Sequence, residues 1–337
     1  MKDNAEIRDI PLEVKCYENA YVVPTKILCV FDAEGHFVPY TSKRMYSKSE
    51  YKIPKDAYVS NGQEEYYDEE VVYIGFLRGH WGHFIVDSSI RLWALGTQEC
   101  QNKRILIKIE GMESFYYKLF EQLGVEKERL LQIDKPARFK KILVPELAYL
   151  PERYISKEFL MPFDRVAANI NLDKEAYKKI YLSRVHFARG KKELGEKEIQ
   201  DIFEANGFKI LYPEELSMEE QIWYYKNCEV LVTTNGTVAH NIVFANKCKE
   251  LVILRRFADN NVHQKIINHL KGIELVYINT FHKASNHDDC LMVRTDELVN
   301  YLKKKEMYIS KESILKKVIN FIGFKVPYMY RWINPKR

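Results

Sequence analysis

Three short stretches of this chain carry residues able to move a proton or hold a phosphate. The first is Gly79-His80-Trp81-Gly82-His83-Phe84-Ile85-Val86-Asp87. His83 and Asp87 stand four residues apart, which places both side chains on one face of a helix. An imidazole titrates near neutrality, and a neighbouring carboxylate can orient it and steady its protonated form. The pair is therefore a candidate general base with its orienter, His83 first and Asp87 second. A helix start with a capping histidine would read the same way. No third ligand follows at a fixed spacing, so no metal is expected. The second stretch is Tyr181-Leu182-Ser183-Arg184, with Arg189, Lys191 and Lys192 close behind. An arginine at the end of a strand suits a diphosphate, because its guanidinium forks onto two oxygens. Lys191 and Lys192 read as solvated loop residues. The third is Thr234-Asn235-Gly236-Thr237 before an apolar run. Gly236 permits a tight turn, and the free N–H groups of a helix start can hold an anion. An ordinary turn would look identical.

Such residues need a scaffold to position them. Residues 1–65 read as irregular and β-rich, with a hairpin of Lys26–Phe31 and His36–Tyr40 about Gly35. The polar, Tyr-rich stretch Tyr46–Tyr67 reads as a loop. Strands are then expected at Val71–Phe76, Arg104–Ile109, Leu130–Ile133 and Lys141–Val144, with helices at Gly82–Leu95 and Glu113–Leu123. Pro145–Arg165 connects to a second alternation. Its strands are Lys179–Ser183, Phe208–Tyr212, Glu229–Thr234, Leu251–Leu254 and Ile273–Ile278. Its helices are Glu196–Asn206, Ser217–Asn227, Val238–Ala245 and Val262–Leu270. Ser217 with Glu220 forms a capping-box pattern. Strand–helix alternation of this kind predicts parallel sheets covered on both faces, and the carboxyl ends of such strands are where ligands bind.

Composition narrows the function classes. The chain has 337 residues, 46% hydrophobic and 29% charged, with only 14 Gly and 11 Pro. That suits two ordinary domains and excludes collagen-like or low-complexity chains. The six cysteines never fall in a CxxC or zinc spacing, and they read as reduced thiols. The first residues, MKDNAEIRDI, contain no apolar signal segment, and no apolar run is long enough to span a bilayer. The net charge is +5, but from Lys303 to Arg337 ten Lys or Arg face two Glu, a balance of +8, which leaves −3 for the rest. A basic surface confined to one end argues against a nucleic-acid-coating protein. In the same segment, Ile314, Leu315, Val318, Ile319 and Ile322 recur at helical spacing, and Phe321, Phe324, Tyr328, Tyr330 and Trp332 follow. Basic residues with interfacial aromatics are the pattern of a peripheral contact with an anionic membrane. A helix docked on the fold is the alternative.

The order of these segments resembles the family 61 glycosyltransferases, which include bacterial capsular-polysaccharide enzymes and eukaryotic protein O-linked sugar transferases. The resemblance runs in outline over residues 70–330 and is densest over 180–245. It rests on Ile180–Arg184, Phe208–Tyr212, Pro213-Glu214-Glu215-Leu216-Ser217, Gln221 and Val230–Phe244. Where the family has a His-Gly-Ala-Gly turn and a later Asn, this chain has Asn235, Gly236, Thr237, Val238 and Asn241. His83-Phe84 is similar to the family's N-terminal motif. Leu254 stands where the family usually has a Glu.

What the resemblance implies is a GT-B-like α/β architecture of two Rossmann-like parallel-sheet domains facing a cleft. An acceptor-side domain would span 1–165, a nucleotide-sugar domain 166–300 and a basic amphipathic tail 301–337. The implied reaction is inverting transfer from a nucleotide-sugar to a glycan or lipid-linked glycan, in capsular or cell-surface polysaccharide biosynthesis. The expected donor-binding residues are Ser183, Arg184, Arg189, Glu215, Asn235, Gly236, Thr237 and Asn241. No cofactor and no nucleic-acid partner are expected, and the expected location is cytoplasmic, peripheral on the inner membrane face. Val238 and Leu254 motivate a second reading, a member that binds glycan or a partner without catalysis. Another nucleotide-dependent α/β enzyme is disfavoured, because no G-x-G-x-x-G opens either alternation.

Overall fold

The computed structural model describes residues 6–41, 58–151, 153–186, 193–256, 261–285, 288–293 and 296–307. Arg189 and the tail beyond Met307 lie outside the described residues. The chain forms two compact units. The first holds residues 1–174, 236–246 and 260–274, and the second holds 175–235, 247–259 and 275–337.

The first unit is built on a six-stranded sheet. Its strands are β1 (Val14–Pro24), β2 (Leu28–Phe31), β3 (Glu65–Arg78), β4 (Arg104–Glu110), β5 (Leu130–Leu131) and β6 (Ala137–Pro145), in the order β2-β1-β6-β3-β4-β5. β3 pairs in parallel with both β6 and β4, and β4 with β5. The expected parallel core is present. Its other edge differs: β1 runs antiparallel to β6 and to β2. Three residues join β1 to β2, too few for the crossover that a parallel pair requires. Two strands are longer than expected, and Glu65–Tyr67, assigned to a loop, begin β3. Residues 58–64 carry no helix or strand, as a loop should, and residues 46–57 lie outside the described residues. Ala20, Val22, Val30, Val71, Leu106, Phe139 and Ile142 are buried on this sheet. At about 1.5–3 kcal/mol for each large apolar side chain removed from water, this face anchors the unit.

The segment after β3 departs from the expected α-helix. Trp81–His83 is α-helical, Phe84–Ser88 is a π-helical turn, and Ser89–Gly96 is a 3-10 helix. Phe84, Ile85, Val86, Ser88, Ile90, Arg91 and Leu92 are all buried, so the run is enclosed on every side rather than presenting one apolar stripe. The Ser89 hydroxyl also donates to the Ile85 carbonyl at 2.7 Å and competes for the regular ladder. The connection at 145–165 contains short strands and, from Met161 to Asn169, a helix.

The second unit carries a five-stranded sheet of β7 (Lys179–Leu182), β8 (Lys209–Leu211), β9 (Val230–Thr234), β10 (Glu250–Arg255) and β11 (Glu274–Asn279), in the order β8-β7-β9-β10-β11. β7 pairs in parallel with β8 and β9, and β9 with β10, as the alternation predicted. Helix Glu196–Ala205 buries Ile199, Ile202 and Phe203 against Tyr181, Val232 and Val252. Helix Met218–Asn227 begins with the expected capping box, in which Ser217 Oγ accepts from the Glu220 amide at 3.1 Å and Glu220 Oε2 accepts from the Ser217 amide at 2.9 Å. A strand pair at Phe281–Ser285 and Asp288–Val293, and a helix at Asp296–Lys304, were not anticipated. Leu254 is fully buried in this core.

Candidate active site

In the first unit, the chain leaves β3 at Arg78 and turns directly into the helical run, so the end of a central strand sets where His80, Trp81 and His83 begin. His83 Nδ1 lies 3.0 Å from Asp87 Oδ2, the contact expected from their spacing. The Asp87 side chain is 8% exposed and the His83 side chain 23%, so the ring is reachable while its partner is shielded. The π-helical turn that brings them together is a feature that recurs at functional sites.

The run is held against Thr237–Phe244, a 3-10 helix where an α-helix over Val238–Ala245 was expected. Trp81 donates from its indole to Asn241 Oδ1 and lies parallel to Phe244. A Cβ on Gly82 would come 2.3 Å from Thr237 Cγ2 and 2.7 Å from Thr237 Cβ, so only glycine permits this approach. Gly236, with φ +153 and ψ −177, occupies a region that only glycine adopts freely.

Two further histidines join the site. His240 is buried, its Nδ1 lies 2.8 Å from Gln264 Oε1, and Gln264 in turn donates to Asn268 Oδ1 at 2.7 Å. His263 Nδ1 lies 2.6 Å from the Tyr149 hydroxyl. Burial pulls His240 down to about 4, with the charges of His263 and His83 adding to it and the Gln264 bond opposing. Burial likewise pulls His263 down to about 4, helped by His83. His80 packs edge-on to His83 at 4.8 Å and is also lowered, chiefly by burial and then by His83. His240 and His263 are therefore neutral at physiological pH, in electrostatic contact with His83. Sequence reasoning missed both. His240 precedes the singled-out Asn241, but nothing in the spacing ties residues 240 and 263 to residue 83.

In the second unit, the parallel order carries several expected residues to one edge of the sheet, beyond the carboxyl ends of β7, β8 and β9. Ser183 is buried and donates to Gln200 Oε1 at 2.8 Å, and Tyr212 donates to the same oxygen at 3.1 Å. The Arg184 amide donates to Glu196 Oε1 at 3.1 Å, an oxygen that also accepts from Tyr181 at 2.7 Å. Glu215 is exposed and its Oε1 meets His186 Nδ1 at 2.5 Å, while the His186 ring stacks on Tyr212 at 3.8 Å. Asn235 Oδ1 accepts from the Arg256 amide at 2.9 Å, and the Asn235 carbonyl accepts from Arg256 Nη2 at 2.7 Å. Arg256, at the end of β10, was not foreseen, although an arginine at the mouth of a parallel strand was the signal used for Arg184. Gly236, Thr237 and Asn241, expected with these residues, belong to the first unit.

Residues 81–252, just over half of the chain, match the family model described as Glycosyltransferase 61. The chain belongs to glycosyltransferase family 61. No curated protein matches it. Membership makes the protein a transferase whose general substrates are a sugar donor and a glycan acceptor. The matched residues of this family 61 glycosyltransferase begin at Trp81 and take in His83, Asp87, Ser183, Arg184, Glu215 and Asn235–Asn241, and they end before Arg256 and His263. Among the described residues, one group, Asp32, Glu34 and His36, has the spacing for a metal ion. It lies in the turn that follows β2, where the expected strand His36–Tyr40 is reduced to a single bridge between Phe31 and Phe37, and Asp32 Oδ1 accepts from the amides of Glu34 and His36, so the cluster serves the turn. No helix among the described residues is long and apolar enough to cross a membrane.

Proposed function

We propose that this glycosyltransferase transfers a sugar, with inversion, from a nucleotide-sugar to a hydroxyl of a glycan or lipid-linked glycan in the synthesis of a capsular or cell-surface polysaccharide. The observation that carries the reading is the His83–Asp87 pair at 3.0 Å, with a reachable ring and a shielded carboxylate, inside the family-matched region. In the proposed step the acceptor oxygen attacks the anomeric carbon, the bond to the diphosphate oxygen breaks, and the acceptor proton passes to His83. Asp87 orients the ring and stabilises the imidazolium. Negative charge develops on the departing diphosphate, and the residues proposed to meet the donor are Arg184 with Ser183, Arg189, Glu215 and Asn235, and Gly236, Thr237 and Asn241. Glu215 orients His186 rather than meeting phosphate itself. No metal ion is required in this scheme, since cations and amides oppose the charge.

In this reading the two units form a GT-B arrangement, and the basic aromatic segment at 303–337 holds the enzyme on the cytoplasmic face of an anionic membrane. Each Lys or Arg near such a surface contributes about 1 kcal/mol, screened by salt. The deciding experiment offers a panel of nucleotide-sugars with oligosaccharide acceptors and follows the anomeric proton of the product by NMR. Transfer with inverted configuration, unaffected by a chelator, is expected. Retained configuration, or activity lost to chelator and restored by magnesium, overturns the mechanism, and no transfer from any nucleotide-sugar overturns the donor class.

A further inference from the structure

Arg91 lies within the helical run that carries His83 and Asp87, and the scheme above makes no use of it. Its residue is 6% exposed. Nε donates to the Pro145 carbonyl at 3.0 Å and Nη2 to the Tyr40 carbonyl at 2.8 Å. The guanidinium lies over the Tyr73 ring, 5.2 Å from its centroid. No carboxylate among the described residues pairs with it, and no described group accepts from Nη1. A buried cation without a counter-ion is costly. Two backbone carbonyls do not explain its choice, since a neutral donor would satisfy them without burying charge.

The surroundings of Arg91 indicate what offsets that cost. Arg91 forms part of the wall of a cavity of about 270 Å³, together with Lys15, Tyr17, Tyr40, Glu146 and Tyr154. At about 30 Å³ per water this is room for roughly nine waters, or one pyranose ring with its substituents. The cavity reaches the surface, because Lys15 and Tyr40 are exposed. Lys15 also has no ion-pair partner among the described residues. The wall's carboxylate, Glu146, is held by Arg8 Nη2 at 2.9 Å, so Lys15 and Arg91 remain uncompensated. Three tyrosines supply flat faces and hydroxyls of the kind sugars pack on. Arg91 also borders a smaller cavity of about 30 Å³ whose wall includes Asp87, the partner of the proposed base, so Arg91 is a residue common to both cavities.

We infer that the recess beside Arg91 is an acceptor subsite that takes an anionic sugar, with Arg91 and Lys15 holding a carboxylate or phosphate substituent. The inference rests on the glycosyl-transfer reading above, and it makes the acceptor an acidic glycan. Arg91 is a binding residue in this role, and Lys15 guides the anion in from the rim.

The test measures binding of methyl β-glucuronide, glucose 6-phosphate and uncharged methyl β-glucoside to the full chain by calorimetry and saturation-transfer NMR. At least one anionic sugar is expected to bind tenfold or more tightly than the glucoside, and the stronger of the two identifies carboxylate or phosphate. Arg91→Gln should abolish the preference. Because Arg91 also supports two carbonyls, Lys15→Glu provides a variant on the exposed rim that leaves those bonds intact, and it should weaken anionic binding about three- to tenfold. Equal binding of all three sugars overturns the subsite, as does a preference that survives both Lys15→Glu and a folded Arg91→Gln; if Arg91→Gln does not fold, Lys15→Glu decides alone. Nucleoside diphosphate release from the donor is measured on the same proteins. Release without anionic preference removes the subsite and spares the transferase reading, whereas anionic preference without release from any donor removes that reading instead.

Discussion

The two units use polar side chains in opposite ways. At the edge of the second unit's sheet, charged and hydroxyl groups are committed to fixing the backbone: Ser183 to Gln200, Tyr181 and the Arg184 amide to Glu196, and Asn235 to Arg256. In the first unit, buried imidazoles are kept neutral by desolvation and matched to uncharged partners, His240 to Gln264 and His263 to Tyr149, around the carboxylate-paired His83. A rigid edge of amides and arginines suits a ligand whose charge is already present when it binds. A neutral imidazole cluster suits a proton that moves during reaction. Substitutions at His83 and Asp87 should therefore act on turnover, and those at the second unit's strand ends on donor affinity.

The largest effect is expected at His83. His83→Ala should lower turnover about 10²- to 10⁴-fold, the usual worth of a general base, with donor affinity nearly unchanged. Asp87→Asn should lower turnover less. A kinetic comparison in which Asp87→Asn is crippled and His83→Ala is not would reverse the two roles, and parallel losses in donor affinity would erase the contrast between the units.

Acid comes next. His240 is neutral in the fold down to about pH 4 but protonates near 6.5 once unfolded. Between those values the unfolded state binds the extra proton, so stability falls as pH drops through that window. The loss is on the order of 3 kcal/mol for His240, and His263 adds to it. Melting temperatures from pH 7 to 4.5 should decline more steeply in the wild type than in His240→Gln. Carboxylates such as Glu70, lowered by its hydrogen bonds to Lys103 and Lys141, lose their contribution only as pH falls through the ordinary carboxylate range and below, which leaves the upper part of the window to histidine. Superimposable pH profiles would mean that the buried ring titrates alike in both states.

At the second unit's edge, Arg184→Ala should weaken nucleoside-diphosphate binding by about 1.5–3 kcal/mol, the range for a hydrogen bond to a charged group. Turnover at saturating donor should change little. Unaltered affinity in calorimetry would remove Arg184 from the donor site. The smallest effect sharpens the packing on which the histidine cluster depends. Gly82→Ala drives a methyl into Thr237 and should destabilise by about 1–3 kcal/mol. Adding Thr237→Ser removes the nearest atom and should recover part of the loss. No recovery in the double variant would show that the strain is relieved elsewhere.

Local chemistry made much of this legible in the residues alone. The second unit's strands alternate with helices whose apolar spacing and capping box, Ser217 with Glu220 three residues on, are each written in neighbouring residues, and the structure repeats them. The His83–Asp87 contact is likewise an i,i+4 relation that survives in a π-helical turn. What the sequence left undetermined depends on distance along the chain. The histidine cluster gathers residues 80, 83, 240 and 263, the Arg256 clamp on Asn235 spans 21 positions, and the recess at Arg91 is walled by residues 15 to 154. The irregular helix at 81–96 carries most of its residues buried against remote segments, and the Ser89 hydroxyl bonds back to the Ile85 carbonyl where the helix type changes. Hydrogen-bonded periodicity is local and can be read from neighbours, whereas burial, and with it the protonation state of His240 and the uncompensated charge of Arg91, is set only when remote segments close around a side chain.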